Sequence, residues 1–120
     1  MPLSILLIEN NNLSRRNIAA FLESFGYLVS ETEDGEEALK LIKDIKFDVV
    51  ITDLRLDGMV NGLDLLECYK QACPDGRSFL ITAFGSNQVK EKAASLGAVY
   101  LEKPIQLSDL VHRIKMVTPA

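Results

Sequence analysis

The chain has 120 residues, of which 48% are hydrophobic and 25% charged, and its formal net charge is −4 at pH 7. This length and composition are typical of one globular domain, and we interpret residues 1–120 as that single domain. The acidic balance argues against direct nucleic-acid binding, which needs a basic surface to neutralise phosphates. No apolar run has the length of a membrane span and no signal peptide is recognisable, so we expect a cytoplasmic protein without membrane contact.

In chain order, short apolar runs alternate five times with segments of helical period. The predicted elements are strand Ser4–Ile8, a helix from about Leu13 to Phe25, strand Tyr27–Glu31, a helix after Asp34-Gly35, strand Val49–Thr52, a helix from near Gly62, strand Ser78–Ile81, a helix around Asn87–Leu96, strand Ala98–Glu102 and a helix from about Leu107 to Val117. Continuous apolar runs are typical of strands that are buried on both faces of a parallel sheet. Repeated strand–helix units with right-handed crossovers therefore predict a doubly wound α/β fold.

The helices are predicted from apolar positions that share one face. These positions are Ile18, Leu22 and Phe25 in the first helix, Ala38, Leu41, Ile42 and Ile45 in the second, Leu65, Leu66 and Tyr69 in the third, and Val89, Ala93 and Leu96 in the fourth. Asn12 is the predicted N-cap of the first helix, and Gly26 is predicted to end it. The apolar stripe of the fourth helix is thin, which predicts weak docking and makes this helix a candidate for movement.

The two cysteines, Cys68 and Cys73, lie five positions apart in or just after a predicted helix and so face different directions. We expect free thiols, because two thiols with one distant histidine, His112, do not form a zinc site. His112 falls on the polar side of the last predicted helix, which indicates a solvent-exposed side chain.

Reactive side chains stand at or just past the carboxyl ends of four predicted strands. Glu9 follows the first strand, Asp53 the third, Thr82 the fourth and Lys103-Pro104 the fifth. Ligands bind at this edge of an open parallel sheet, so we expect these groups to converge there. Each residue also has an ordinary role when taken alone, such as a turn cap, a partner for a backbone group or a solvated charge.

Together these residues resemble the receiver domain of two-component response regulators, and the resemblance covers essentially the whole chain. It implies a flavodoxin-like, CheY-like fold with a five-stranded parallel sheet in the order 2-1-3-4-5 and helices on both faces. It also implies that Asp53 accepts a phosphoryl group and that Lys103 pairs with one phosphoryl oxygen. The Thr82 hydroxyl and the Ala83 backbone N–H would contact two others.

The resemblance assigns two further features around the fifth strand. The Lys103-Pro104 peptide bond is cis in such domains, and a cis bond before proline costs only about 1 kcal/mol. Tyr100 stands where such domains carry their switch aromatic, and Thr82 is the second switch residue. A half-buried strand aromatic is the alternative role for Tyr100.

The resemblance also implies a divalent cation, normally Mg²⁺, held by Asp53, by the backbone carbonyl of Arg55 and by an acidic pair after the first strand. The pair here is Glu9-Asn10, whereas the family pattern has two acids. Asn10 offers an amide oxygen without charge. We expect the Mg²⁺ affinity to fall by about tenfold or more, since one such interaction corresponds to about 1.4 kcal/mol. Repulsion against the incoming phosphoryl group falls as well.

A second departure lies in the loop after Asp53. Asp57 stands where the family usually has proline, and Gly62 arrives one residue late. We expect the insertion, which brings Gly58, to loosen this loop. Beside the loop, Arg55 and Phe84 occupy positions that border the attacking water in such domains, and a bulky Phe84 would slow loss of the phosphoryl group.

The leading hypothesis is a phosphorylation-driven switch in which a sensor histidine kinase or phosphotransfer protein donates to Asp53. The added charge draws Thr82 inward, and the fourth helix and Tyr100 repack. The face of the fourth helix, fifth strand and fifth helix would then meet an output domain or partner. On that face, Asp109 and Arg113 either contact a second copy in a homodimer or form a plain intrahelical pair.

The alternative is a pseudo-receiver that accepts no phosphate and works as a protein-binding module. Asn10 favours it, whereas the joint presence of Asp53, Thr82 and Lys103 opposes it. Under either hypothesis the domain is not an enzyme beyond its own phosphoryl transfer. A haloacid-dehalogenase-type phosphatase, for example, needs an aspartate where this chain has Arg55. No feature decides whether the chain is complete or part of a longer regulator or hybrid kinase.

Overall fold

The computed structural model describes residues 2–118, in which strands and helices alternate. The strands are β1 (Ser4–Ile8), β2 (Leu28–Thr32), β3 (Val49–Thr52), β4 (Arg77–Thr82) and β5 (Val99–Glu102). The helices are α1 (Asn12–Glu23), α2 (Gly35–Asp44), α3 (Gly62–Ala72), α4 (Asn87–Ser95) and α5 (Leu107–Val117). Neighbouring strands pair in parallel in the order β2-β1-β3-β4-β5, which confirms the predicted doubly wound fold.

The sheet separates two apolar layers, because successive strand side chains point to opposite faces. On one face, α1 and α5 cover strand residues that include Ile5, Leu7, Val49, Ile51, Phe79 and Ile81. On the other face, α2, α3 and α4 cover residues that include Leu6, Ile8, Val50 and Leu80. Each fully buried aliphatic side chain contributes about 1.5–3 kcal/mol of transfer free energy, so the three central strands dominate the core.

The start and end of α1 differ from the prediction. Asn11, not Asn12, caps the helix, since its side-chain oxygen accepts a hydrogen bond from the Ser14 N–H at 2.8 Å. The helix ends at Glu23, and Gly26 with φ 89° forms the turn that follows. Phe25 therefore lies beyond the helix and is 47% exposed, in contact with the Phe21 ring at a centroid distance of 5.2 Å.

The stripe of α2 also ends earlier than predicted. Ile45 is the C-cap in extended conformation and is 47% exposed. Phe47 is buried two residues later and takes that place in the core. Smaller differences affect three strands, because β2 begins and ends one residue later, β4 is longer by one residue at each end, and β5 begins at Val99.

The thin stripe of α4 is confirmed. Ala93 is its buried residue, whereas Val89 and Leu96 are only partly buried.

Cys68 and Cys73 are free thiols and His112 is exposed, as expected. Within residues 2–118, no helix combines the length and the apolar character that crossing a membrane requires.

Candidate functional site

The register of the sheet brings the ends of β1 and β3 level. Ile8 pairs with Thr52, so the next residue of each chain segment, Glu9 and Asp53, leaves the sheet at the same edge. The Asp53 N–H donates to the Ile8 carbonyl at 3.0 Å, and the Glu9 N–H donates to the Thr32 carbonyl at 3.1 Å. Both acidic residues are buried, at 3% exposure for Glu9 and 7% for Asp53.

Lys103 joins the two acids. Its ammonium donates to Asp53 Oδ2 at 2.6 Å and also to Glu9 Oε1. The Lys103-Pro104 peptide bond is cis, and the Lys103 N–H is bonded to the Thr82 carbonyl at 3.0 Å. The structure thus brings together one cation and two carboxylates from the ends of three strands.

The electrostatics of this cluster keep Lys103 charged. Burial alone lowers the pKa of Lys103, but its hydrogen bonds to Asp53 and Glu9 and the negative charges of both acids outweigh that effect, so its pKa lies above the ordinary value. The other oxygen of Asp53, Oδ1, accepts from the Leu54 N–H at 2.6 Å. The Asp53 side chain is therefore held in place by a donor on each carboxylate oxygen.

Thr82 and Ala83 lie beside the cluster at the end of β4. Thr82 is fully buried, and its hydroxyl oxygen accepts from the Phe84 N–H at 3.0 Å, so in this state it closes the β4–α4 turn. Ala83 follows as an exposed residue. The Arg55 guanidinium stands 4.0 Å from the centroid of the half-exposed Phe84 ring, which makes a cation–π pair above the site.

Tyr100 is half-buried on β5 and turns toward the same β4–α4 turn. A Cβ built on Gly85 would lie 1.5 Å from its hydroxyl oxygen, so glycine leaves the space that the phenol fills. The Lys90 ammonium lies 5.6 Å from the ring centroid. Burial, and then the charge of Glu102, raises the pKa of Tyr100.

The groups predicted to hold a metal are oxygen donors. Asn10 is exposed next to Glu9, and the Arg55 backbone carbonyl belongs to the loop after Asp53. Carboxylate, amide and carbonyl oxygens are the chemistry that Mg²⁺ takes, so the donor set fits this ion. Among residues 2–118 no group of three His, Cys, Asp or Glu side chains is placed to hold a metal.

The β3–α3 loop, residues 54–61, makes contacts that its insertion did not predict. The Gly62 N–H donates to the Leu54 carbonyl at 2.8 Å. Further along, Asp57 forms an isolated parallel bridge with Asp34. The Met59 N–H donates to the Glu36 carboxylate at 3.0 Å. The loop in which we expect loosening is therefore in contact with the start of α2.

Two residues of the site region were missed in the sequence. Arg15 on α1 donates to the Glu9 carbonyl at 2.8 Å and lies 3.4 Å from a Glu31 oxygen, so it ties the β1–α1 turn to β2. Glu36 bonds the β3–α3 loop from 23 positions away. An arginine and a glutamate on helix surfaces carry no local signal for such contacts, and only the fold places them.

A family model for the response regulator receiver domain matches residues 5–115. The chain belongs to this family. A relative, the transcriptional regulatory protein PdtaR of Mycobacterium tuberculosis, is 33% identical over 97% of this chain and 57% of its own length. The receiver domain spans between 30% and 57% of the first curated relatives that it matches.

Solved structures agree with this assignment. A CheY-like receiver domain protein of Methanospirillum hungatei superposes with a TM-score of 0.92 at 26% identity, over 97% of this chain and 93% of that one. A response regulator of Burkholderia pseudomallei, solved with a phosphorylated aspartic acid, a calcium ion and citrate, has a TM-score of 0.82 at 32% identity, over 90% of this chain and 64% of that one. This protein is thus a receiver domain of the two-component response regulators.

Proposed function

We propose that this receiver domain is a switch that accepts a phosphoryl group on Asp53 from a phosphohistidine of a sensor histidine kinase or phosphotransfer protein. The observation that carries the proposal is the pair of hydrogen bonds that the Lys103 ammonium donates to Asp53 and Glu9, which holds the nucleophile at the open edge of the sheet. In the transfer, a carboxylate oxygen of Asp53 bonds to phosphorus while the phosphorus–nitrogen bond to the donor imidazole breaks.

Charge is the main obstacle to this reaction, because two carboxylates face an anionic donor. Lys103 supplies one positive charge, and its contact with Asp53 supports a role in pairing with a phosphoryl oxygen after the transfer. Bound Mg²⁺ would supply the remaining positive charge. The groups that would hold it are Asp53, Glu9, the Asn10 amide oxygen and the Arg55 carbonyl.

The proposed switch uses the side of the sheet that is least packed. After transfer, the Thr82 hydroxyl donates to one phosphoryl oxygen instead of accepting from the Phe84 N–H, and the Ala83 N–H donates to another phosphoryl oxygen. Tyr100 and α4 then repack, which changes the α4–β5–α5 face for an output domain or partner. The weak docking of α4 supports this path, since Ala93 is its buried residue.

A second copy of the chain is a further proposed partner at this face. Asp109 and Arg113 are both exposed on α5, and no ion pair between them is found in residues 2–118, so each charge is open to an external partner. The proposed setting is the cytoplasm, with phosphohistidine donors and no direct contact with nucleic acid or membrane.

The second candidate function is a pseudo-receiver that binds proteins without being phosphorylated. Asn10 is the observation that favours it, because it leaves the site with two acids, and both are already bonded to Lys103. In that case the α4–β5–α5 face would act in one fixed conformation.

Intact-protein mass spectrometry after incubation with phosphoramidate, with and without Mg²⁺, tests the proposal. We expect one phosphoryl adduct that depends on Mg²⁺ and is absent in Asp53→Asn. No adduct at any Mg²⁺ concentration would contradict the switch and favour the pseudo-receiver.

A further inference from the structure

The β3–α3 loop is fixed on both sides of Arg55, whose carbonyl belongs to the proposed metal site. Before Arg55, the Leu54 carbonyl accepts from the Gly62 N–H at 2.8 Å. A Cβ on Gly62 would stand 2.1 Å from the Asp53 carbonyl oxygen, so α3 starts in direct contact with this backbone. These contacts hold the backbone as far as Leu54. The position of Arg55 therefore depends on contacts made further along the loop.

That support comes from the first turn of α2. Asp57 pairs with Asp34, and Glu36 Oε1 accepts from the Met59 N–H at 3.0 Å. The Met59 side chain is 94% exposed, so burial adds nothing to hold it in place. The carboxylate of Glu36 thus holds the far end of the loop through the backbone.

Gly58 fits this contact. Its φ of 92° lies in the left-handed region, and a Cβ there would stand 2.5 Å from Glu36 Oε2. Glycine therefore permits both the backbone turn and the close approach of the carboxylate. Gly58 and Glu36 together hold the longer loop in position.

We propose that Glu36 is a positioning residue for divalent-metal binding, acting through the Met59 amide on the loop that carries the Arg55 carbonyl. The inference rests on the proposed function, because the metal site is part of it. Glu36 is bonded to the loop and not to the predicted ligands, so its effect is on where the carbonyl stands.

The chain offers two matched controls. Glu37 lies in the same first turn of α2 with the same charge, but it is exposed. Glu37→Ala therefore removes an equal charge near the same helix end without touching the loop. Glu36→Gln keeps an oxygen that accepts from the Met59 N–H and removes only the charge.

The experiment is an NMR titration of the full chain with Mg²⁺, followed at the Leu54 and Arg55 amides, together with hydrogen exchange at the Met59 amide. For Glu36→Ala we expect the Mg²⁺ Kd to rise about three- to tenfold, below the 10–100-fold typical for partners bonded directly to a ligand. Met59 exchange should accelerate in the same variant. Glu36→Gln and Glu37→Ala should keep values near those of the wild type.

Three results would overturn the proposal. Faster Met59 exchange in Glu36→Ala with an unchanged Kd would mean that the anchor has no influence on the metal. Equal weakening of Mg²⁺ binding in Glu36→Gln and Glu37→Ala would mean that the effect comes from the loss of negative charge. If the wild-type chain binds no Mg²⁺, the proposed metal site does not exist. If instead the metal series behaves as expected while no phosphoryl adduct forms, Glu36 keeps its role and the phosphorylation switch fails.

Discussion

The centre of the sheet and its β5 edge are packed very differently. β1 and β3, which lead into Glu9 and Asp53, are buried almost throughout, and helices cover them on both faces. β5 is only partly buried, and α4 beside it buries Ala93. Asp53, the proposed acceptor, thus stands on the tightly packed part of the molecule, whereas Tyr100 stands on the part that is less tightly packed. A phosphoryl group on Asp53 would change the second region without disturbing the first.

The largest expected effect comes from removing the same side chain in each region. Leu6 in β1 is fully buried, whereas Leu96 after α4 is only partly buried. We expect Leu6→Ala to lower the free energy of unfolding by about 2–5 kcal/mol and Leu96→Ala by about 1 kcal/mol. Urea denaturation measures both. Equal losses would mean that the two regions are packed alike.

Alkaline pH should act through the packed region. Tyr69 is buried and donates to the Phe47 carbonyl at 2.6 Å. Burial raises its pKa well above the usual value, and the neighbouring Cys73 adds to the rise. Because the pKa is higher in the folded state, this stability is fully present below about pH 10, the unfolded tyrosine pKa, and is lost as pH rises above it.

Urea denaturation at pH 8, 10 and 11 checks this prediction. We expect the free energy of unfolding to fall by up to about 1.4 kcal/mol per pH unit above pH 10 from this residue. Tyr69→Phe should start about 1 kcal/mol lower, because it loses the hydrogen bond, and should fall less steeply. Tyr100→Phe, on the partly buried strand, should stay closer to the wild-type slope. A Tyr69→Phe slope equal to that of the wild type would argue against this assignment.

Restoring the second acid should strengthen the metal site on the tightly packed side. We expect Asn10→Asp to lower the Mg²⁺ Kd by about tenfold, because one added charge near the ion is worth about 1.4 kcal/mol. Calorimetric titration measures the change. Asn17→Asp adds the same charge on the exposed surface of α1 and should leave the Kd almost unchanged. A similar decrease of the Mg²⁺ Kd in both variants would mean that the net charge causes the effect, and not ligation of the ion by residue 10.

The smallest expected effect concerns Phe84, which lies where the two regions meet. The Arg55 guanidinium stands 4.0 Å from its ring centroid, and we expect this pair to shield a phosphoryl group on Asp53 from water. A cation–π pair of this kind is worth about 0.5–1 kcal/mol, so we expect Phe84→Ala to shorten the half-life of the phosphoryl adduct about two- to fivefold. Phe25→Ala, at a similarly exposed phenylalanine beyond α1, is the control. An unchanged half-life in Phe84→Ala would refute the shielding.

The strands could be located because the central ones are buried on both faces and therefore appear as plain apolar runs, whereas the strand order was implied by the resemblance to receiver domains. The helix ends were harder. Three consecutive asparagines, Asn10 to Asn12, all suit an N-cap, and only the structure selects Asn11. The apolar stripe of α2 continues in sequence to Ile45, but the chain has already turned there, and Phe47 fills the core instead.

The candidate site also has parts that could be predicted from the sequence and parts that could not. Glu9, Asp53 and Lys103 could be found in advance, since residues after parallel strands meet at one edge. The bond of Glu36 to the Met59 amide joins segments 23 positions apart and depends on the local turn at Gly58. No sequence period encodes such a contact. The prediction of a loose loop could therefore not take this contact into account.

The contact of Lys103 with both acids also bears on how the protein folds in the cell. Lys103 is a counterion for both buried carboxylates within the same chain, and this pairing offsets much of their mutual repulsion. We therefore expect the domain to close its core without a divalent ion. In that case metal supply would affect the proposed phosphorylation and not the amount of folded protein.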